Sequence, residues 1–276
     1  MELSIIIVNW NTAQITLKCI KTIHKYLDKK IKYEIIVVDN NSSDDTQTII
    51  TNEVKQSHWD NTKLIKNPEN SGFAKGNNIG VKQAKGKYLL FLNSDMELID
   101  DTLLEMFNFH KTNNCGLTGP KFLNIDLTPQ GSVFPPQTPI NAFKEFFLKQ
   151  ETYSKYVPNT TKPIPVWCIS GGCVLISQEL FQTIGGWNEK YFIYFEDLDL
   201  CRSVRKLNKS IYFYPKCKVI HRHGASGIKL ATSQNQWRRL IPSSIKYHGY
   251  LKHYFINFII YFGQKWQKLN EIKKHF

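Results

Sequence analysis

Residues 34–44 read Glu34-Ile-Ile-Val-Val-Asp-Asn-Asn-Ser-Ser-Asp44, a short β-branched run that stops on a carboxylate and a string of turn-forming side chains. A continuous apolar run, rather than an alternating one, is the pattern of a parallel strand buried on both faces. The same pattern recurs on either side. Upstream, residues 3–8 form a second such run ending at Asn9-Trp10-Asn11, and 13–27 place Ile15, Cys19, Ile23 and Tyr26 at helical spacing. Downstream, 44–54 read as a helix capped by Ser42, Ser43 or Asp44, 62–65 as a strand and 72–84 as a helix; 88–92 then read as a strand closing on Asn93-Ser94-Asp95. Strand–helix alternation at this spacing predicts an α/β fold with a doubly wound, mostly parallel sheet. Ligands of such sheets bind beyond the carboxyl ends of the strands. Those ends are polar here.

Farther along, residues 121–165 contain Pro129, Pro135, Pro136, Pro139, Pro158, Pro163 and Pro165. They are expected to run irregularly over the surface as a substrate-facing lid, not as a linker to a separate domain. Strand patterns return at 166–170 and 173–176, flanking Gly171-Gly172, followed by a helix at 196–207 and short strands at 211–214 and 218–220. From Ser233 the chain is helical in tendency, basic and aromatic.

Composition narrows the class. Of 276 residues, 42% are hydrophobic and 13% aromatic, which excludes a disordered chain. The six cysteines (Cys19, Cys115, Cys168, Cys173, Cys201 and Cys217) form no C-x-x-C pair, and read as small core residues in a reducing compartment. The longest strongly apolar stretch, 254–262, is interrupted by Asn257 and is well short of the roughly 20 residues that span a bilayer. No basic leader precedes the first apolar run, so a cytoplasmic protein, soluble or peripheral to the membrane, is expected. The net charge of +13 is unevenly placed: 202–276 hold 16 Lys+Arg and one acid, Glu271, against 20 Lys+Arg and 22 acids before them. A basic end of this kind attracts phosphates, whether of nucleic acid, anionic lipid or a diphosphate substrate.

No G-x-G-x-x-G follows the first strand, and residues 80–87 have the wrong spacing for a phosphate loop. Dinucleotide oxidoreductases and P-loop NTPases are thereby disfavoured. Asp39, at a strand end, can accept the imide N–H of a uracil or thymine ring. Residues 70–78 put small side chains and amides at a helix start, where backbone N–H groups favour anions. Asp95 closes the strand at 88–92. Glu196, Asp197 and Asp199 crowd another helix start, where the dipole offsets their repulsion and crowding raises the proton affinity of at least one, as suits a general base. His221, at a strand end, is a candidate ligand for Mn²⁺ or Mg²⁺. Each feature also has an ordinary reading as a turn former, a cap or a structural histidine.

Taken in order, the pieces resemble a known family. These are Ser4-Ile-Ile-Ile-Val-Asn-Trp-Asn11, Val37-Val-Asp-Asn-Asn-Ser-Ser-Asp44, Asn70-Ser-Gly-Phe-Ala-Lys-Gly-Asn-Asn78 and Leu90-Phe-Leu-Asn-Ser-Asp95. They continue with Ser170-Gly-Gly172, Gly185-Gly-Trp187, Tyr194-Phe-Glu-Asp-Leu-Asp-Leu-Cys-Arg202 and His221-x-x-Gly-x-Ser226. The chain resembles the family 2, GT-A fold, inverting glycosyltransferases, most of all bacterial rhamnosyltransferase-type members. The resemblance implies a Rossmann-like GT-A domain over 1–230, with a nucleotide-binding half (1–95) and an acceptor-binding half (96–230), then a basic helical extension over 231–276. It implies that Asp39, Asn9 and Asn11 hold the donor's base, and that Asn70, Gly72 and Asn77 border its ribose and diphosphate. By the same likeness Asp95 and His221 are metal or diphosphate ligands, helped by Arg222. Asp197 is the catalytic base beside Glu196, and Gly171, Gly172 and Trp187 meet the acceptor. The first acid of the family's D-x-D motif is Asn93 here, which weakens the expected hold on Mn²⁺ or Mg²⁺.

The implied reaction moves a sugar from a dTDP or UDP donor to a glycan or lipid-diphosphate-linked acceptor in bacterial surface polysaccharide (O-antigen) synthesis. L-rhamnose is the first expectation; UDP-hexose and UDP-N-acetylhexosamine are alternatives. Residues 237–276 have two readings, as a segment lying on an anionic membrane surface or as a helix packed on the domain with its cations in water. A nucleotidyltransferase would want a Gly-rich basic loop after the first strand, which Asn9-Trp10-Asn11-Thr12 does not supply. A non-catalytic module binding nucleic acid or membrane leaves Glu196–Asp199 without a purpose, since acids repel a phosphate backbone.

Overall fold

The structure, a computed structural model, describes residues 1–222 and 237–273, with side chains over 1–222 and 240–270. Gly224, Ser226 and the helix start expected at Ser233 lie outside the described residues. The first half runs β1 (Leu3–Asn9), α1 (Ala13–Leu27), β2 (Tyr33–Asp39), α2 (Thr46–Gln56), β3 (Thr62–Lys66), α3 (Gly72–Val81), β4 (Tyr88–Leu92) and β5 (Met96–Leu98). Next come α4 (Thr102–Thr112), β6 (Leu117–Leu123), β7 (Pro129–Gln130), β8 (Val133–Phe134), α5 (Pro139–Leu148), β9 (Ile164–Pro165) and β10 (Cys168–Ile169). The chain continues with β11 (Cys173–Ser177), α6 (Gln178–Thr183), α7 (Glu196–Lys206), β12 (Ile211–His221), α8 (Trp237–His248) and α9 (Tyr250–Lys273).

β1 and β2 are buried along nearly their whole length. The two-residue period of a strand divides their side chains between two cores. Ile5, Ile7, Ile35 and Val37 meet Cys19, Ile20 and Ile23 of α1 on one face. Ile6, Ile36 and Val38 join the other face with Ala74 of α3, Trp187 and Val204 of α7. A strand apolar on both sides must be covered on both, which is why the sheet is doubly wound.

The sheet order is β3-β2-β1-β4-β11-β6-β12-β5. β1 to β4 pair in parallel, as does β6 with β12. β11 enters antiparallel between β4 and β6, and β5 runs antiparallel to β12. The sheet is thus parallel in its first half, as the sequence pattern predicts, and mixed in its second.

The segment 121–165 departs from its expected irregularity. It contains α5, where Thr138 Oγ1 accepts the Asn141 N–H (3.1 Å) and Pro139 takes the first helical turn, a place that needs no N–H. The two short strands expected at 211–214 and 218–220 are one, β12, with a register shift between Tyr214 and Lys218 where Pro215 withholds a donor. The strand expected at 166–170 shrinks to β10. The C-terminal extension is helical, and α9 packs on α5 through Ala142, Ile256 and Ile259. Among the described residues no helix is long and apolar enough to cross a membrane.

Helix α3 lies close on the sheet because a Cβ at Gly80 would come within 2.6 Å of Ile6 Cγ2. At its start Gly72 has φ +82, and a Cβ there would sit 2.3 Å from the Phe192 carbonyl oxygen. That oxygen accepts the Phe73 N–H at 2.8 Å, tying α3 to the chain just before α7. Gly185 shares the left-handed backbone (φ +81) with nothing within 4 Å of a Cβ. Gly185→Ala is expected to cost about 1 kcal/mol, and Gly72→Ala about 2 kcal/mol or more, measured by urea unfolding. Equal costs would show that the Phe192 contact contributes nothing.

Candidate active site

β1 ends at Asn9, β2 at Asp39 and β4 just before Asn93, all at one edge. β12 ends at that edge too, because it is parallel to β6 and so, across β11, to β4. Asn9 and Asp39 are adjacent in register and wholly buried. Asn9 Nδ2 donates to Asp39 Oδ1 (3.3 Å), Ser42 Oγ (3.0 Å) and Thr46 Oγ1 (3.1 Å), while its Oδ1 accepts from Thr12 (2.7 Å) and Thr16 (2.6 Å). Asp39 also accepts the Ser42 N–H (3.2 Å) and Gln47 Nε2 (2.8 Å). Asn9 therefore acts within the protein as a bracket for Asp39. Asn11, left-handed at φ 55, closes the loop above by accepting the Ser43 N–H at 2.7 Å.

Asn40 joins this corner to the start of α3. Its Nδ2 donates to Asn70 Oδ1 (3.1 Å) and Gly72 O (3.0 Å), and its Oδ1 accepts from Asn67 Nδ2 (2.7 Å). Asn70 and Gly72 are thereby held at the edge. Asn77 is not turned to it: its amide donates to Phe73 O (3.0 Å) within its own helix, and the residue is 1% exposed. Trp187 is also 1% exposed, its ring edge-on to Phe73 (5.4 Å) and Phe91 (5.1 Å). In this structure its indole supports the core beneath Gly171 and presents no open platform. Asn78 pins the Trp187 backbone, accepting its N–H (3.1 Å) and donating to its carbonyl (2.8 Å).

Asp95 and His221 meet because β5 turns back onto the end of β12, pairing Met96 with His221. The Arg222 N–H donates to Asp95 O (2.9 Å), and His221 Nε2 lies 3.5 Å from Asp95 Oδ1. Gln130 Nε2 donates to Asn124 Oδ1 (2.8 Å), which leaves its Oε1 facing His221 Nδ1 at 2.6 Å. Gln130 thereby orients the ring through Nδ1, and Nε2 faces Asp95. Asp95 Oδ1 and Asn93 Oδ1 are buried with no hydrogen-bond partner among the described residues. Buried acceptors without donors are costly, and an oxygen and imidazole set of this kind fits a divalent cation shared with a phosphate-bearing ligand. Among the described residues no three His, Cys, Asp or Glu side chains gather as a metal cage; Asn93 supplies an amide oxygen in place of one carboxylate. Arg222 pairs with Glu97, which also takes Lys18 at 2.9 Å. Burial pushes Glu97 up, and the bonds from Arg222 and Lys18 more than offset it, holding the carboxyl below its ordinary range.

The crowded acids of α7 differ in what meets them. Asp199 pairs with Arg202 and accepts from Asn188 Nδ2 (2.9 Å). Asp197 Oδ2 accepts the Gly171 N–H (3.1 Å) and Oδ1 the Leu198 N–H (2.9 Å). Glu196 Oε2 is buried without a hydrogen-bond partner among the described residues. Burial, then the charge of Asp197, raises the Glu196 carboxyl from 4.5 to about 8, against a smaller pull from Lys155. Lys155, from the segment between α5 and β9, reaches Ser170 Oγ at 3.2 Å. Tyr194 and Phe195, both left-handed (φ 70 and 69), aim this pair of acids.

Asp39, Asn9, Asp95 and His221 thus share one rim through short contacts, with Thr12 Oγ1 bridging Asn9 to Ser94 Oγ (3.2 Å), and Gly171 brings Asp197 to the same rim. Asn40, Gln130 and Lys155 escaped the sequence reading. Asn40 sits inside a quoted motif and is marked by its place one residue past a buried strand, whereas Gln130 and Lys155 lie among the prolines with no local signal. The Glu196 carboxyl sits above its unfolded value, so the stability it contributes is complete below about pH 4.5 and is lost as pH rises through about 8. Glu196→Gln is accordingly expected to melt with wild type near pH 4 and above it near pH 9, as read by thermal melts across that range.

The profile described as Glycosyl transferase family 2 matches residues 4–185. A hexosyltransferase of low-salt glycan biosynthesis from Haloferax volcanii is 29% identical over 234 residues, 79% of this chain and 66% of that protein. A dTDP-rhamnosyl transferase from Shigella flexneri is 24% identical over 199 residues, 71% of this chain and 62% of that protein. The chain spans about two thirds or less of the curated relatives it matches. Among solved structures, GalNAc-T7 with UDP, GalNAc and Mn²⁺ superposes with a TM-score of 0.66 at 19% identity, over 80% of this chain and 43% of that one. That likeness concerns architecture, which is the GT-A fold. With most of its length under that profile and its sheet so arranged, this chain belongs to glycosyl transferase family 2.

Proposed function

We propose that the protein is an inverting sugar transferase acting in glycan or polysaccharide synthesis, with Asp197 as its base. The observation that carries this reading is the Gly171 N–H bond to Asp197 Oδ2, which sets a buried carboxylate at the rim where Asp39, Asp95 and His221 lie. Each carboxylate oxygen keeps a second lone pair beyond the amide it accepts from, and Asp197 uses one to take the proton of an acceptor hydroxyl. The oxygen attacks the anomeric carbon as the bond to the nucleotide's diphosphate breaks. One displacement inverts that centre. Glu196, held neutral beside it, keeps a proton to donate to an acceptor oxygen.

Asp39 would hold a pyrimidine N–H in competition with half-buried Gln47, with Asn9 behind it and Asn11 above. Asn70 and Gly72 would border the ribose and diphosphate at the cap of α3, whereas Asn77, bonded to its own helix, would only hold that turn. Asp95 and His221, with Asn93, would hold a divalent cation, which supplies charge stabilisation at the leaving diphosphate. Arg222 adds a cation next to them. Gly171 and Gly172, whose lack of a Cβ lets the backbone pack against Asp197 and Met96, would set the acceptor side of the rim, and Trp187 supports Gly171 from below. The donor proposed first is dTDP-L-rhamnose, supported by the resemblance of the motifs and by the Shigella flexneri relative's name. A UDP-hexose or UDP-N-acetylhexosamine is the second reading, which the Haloferax volcanii hexosyltransferase favours. The acceptor is a glycan or a lipid-diphosphate-linked saccharide at the inner face of the cell membrane.

Purified protein should be stabilised against heat by dTDP or UDP with Mn²⁺, and should release nucleotide from one member of a donor panel including dTDP-rhamnose, UDP-glucose, UDP-galactose and UDP-GlcNAc. Asp197→Asn is expected to keep the thermal shift and lose turnover by roughly 10² to 10⁴-fold. Normal turnover in that variant removes Asp197 as the base, and no shift or release across the panel removes the transferase reading. Asp95→Asn is expected to reduce the Mn²⁺-dependent part of the thermal shift while leaving the nucleotide-only part in place.

A further inference from the structure

We propose that α9 and α5 form a lipid-docking face that seats the protein on an anionic bilayer surface, with α9 lying in the interface plane. Helix α9 is apolar well beyond its contact with α5. Ile256, Ile259 and Gly263 face inward against α5, where a Cβ at Gly263 would sit 2.4 Å from Phe146 Cβ. Adjoining that face, Leu251 (90% exposed), Tyr254 (60%), Phe255 (56%), Phe258 (58%), Phe262 (45%) and Trp266 (51%) form an exposed apolar stripe. The outer face of a water-exposed helix is ordinarily polar, and a contiguous stripe of rings marks an interaction surface. Beside the stripe an apolar groove of about 400 Å³ opens between the two helices, lined by Ile140, Phe143 and Phe147 of α5 with Phe255 and Phe258.

Charge selects the occupant. From Arg202 to Asn270 the sequence contains no Asp or Glu, and Lys252, Lys265 and Lys268 border the stripe on α9 in exposed positions. The single acid of α5, Glu145, is turned away, its Oε2 accepting the N–H groups of Thr152 (3.0 Å), Tyr153 (2.6 Å) and Ser154 (2.9 Å). A second copy of this face would bring lysines against lysines, the one acid of α9 being Glu271 in its last turn. An anionic headgroup layer meets the cations while the interface takes the rings, Tyr and Trp at headgroup depth. No described helix can cross a membrane, so α9 lies along it.

The platform also connects to the rim. α8 precedes α9 with only Gly249 between them, and its Ser243 Oγ donates to Ile193 O at 2.8 Å while Tyr247 packs on Phe195 at 5.6 Å. The chain segment that carries Glu196 and Asp197 is thereby bonded to the helix pair on the bilayer, and only the naming of this side as the acceptor side rests on the transferase reading.

The test is co-flotation of the full chain with vesicles of phosphatidylglycerol and phosphatidylcholine, against vesicles of phosphatidylcholine alone. Wild type is expected to float with the anionic vesicles and largely not with the neutral ones, and Lys265→Ala to weaken binding roughly fivefold. Leu251→Glu/Phe258→Glu, both at exposed positions, is expected to weaken it roughly tenfold or more with an unchanged melting temperature and an unchanged thermal shift with UDP and Mn²⁺. Wild type that stays with the soluble fraction, or a double variant that floats as wild type does, overturns the proposal. So does a wild-type dimer that the double variant dissolves without either floating, which would assign the face to a second copy. Loss of the nucleotide shift in wild type bears on the transferase reading alone and leaves the flotation result standing.

Discussion

Two backbone amides hold the halves of this protein together at its working edge. The Asn93 N–H, just past β4, donates to the Gly172 carbonyl at 2.8 Å, and the neighbouring Gly171 N–H donates to Asp197 Oδ2 at 3.1 Å. Both bonds exist because β11 enters antiparallel beside β4, so that its beginning lies where β4 ends. Both also need small residues. A Cβ at 171 would come within 3.2 Å of Asp197 Cβ, and one at 172 within 2.6 Å of Met96 Cε. A carboxylate on one helix and the Asn93–Asp95 turn of another unit are thus placed by main chain, which is stiffer than a side-chain contact.

The edge gathers buried acids, and a buried carboxylate is tolerated according to what faces it. Asp39 has an amide, a backbone N–H and Gln47; Asp197 has two backbone N–H groups; Asp199 has Arg202. Glu196 Oε2 has no such partner among the described residues, and burial with the charge of Asp197 raises this carboxyl above its ordinary range. Of the cations after residue 201, Arg222 stands at this edge and others lie in the C-terminal helices, with Arg202 joining the two regions by pairing with Asp199 and lying over Tyr247 at 4.4 Å.

Much of the architecture was legible because burial on both faces leaves a local mark. The runs at 3–8 and 34–38 had no polar alternation, and the structure covers both their faces. Asp39, Asp95 and His221 were legible as polar residues closing such runs. Other features carried no local mark. Pro139 read as one of seven breakers, although at the first turn of α5 it is a helix starter. Trp187, which the family resemblance sets against the acceptor, packs as a core ring, since nothing in its neighbourhood in the chain announces Phe73 and Phe91. Asn77 belonged to a polar motif but bonds its own helix.

Strand order, and with it every contact between residues far apart in the chain, arose at the tertiary level. By itself the sequence determined that a doubly covered sheet forms and which of its strands end in polar groups, because side-chain period and hydrophobicity act between near neighbours. Only the folded chain decided that β11 runs backwards beside β4, that Gln130 orients His221, and that Glu196 Oε2 has no hydrogen-bond partner among the described residues while Asp197 has two backbone donors. Those outcomes depend on which distant backbone groups come within hydrogen-bonding reach, a range of about 3 Å that no periodicity along the chain encodes.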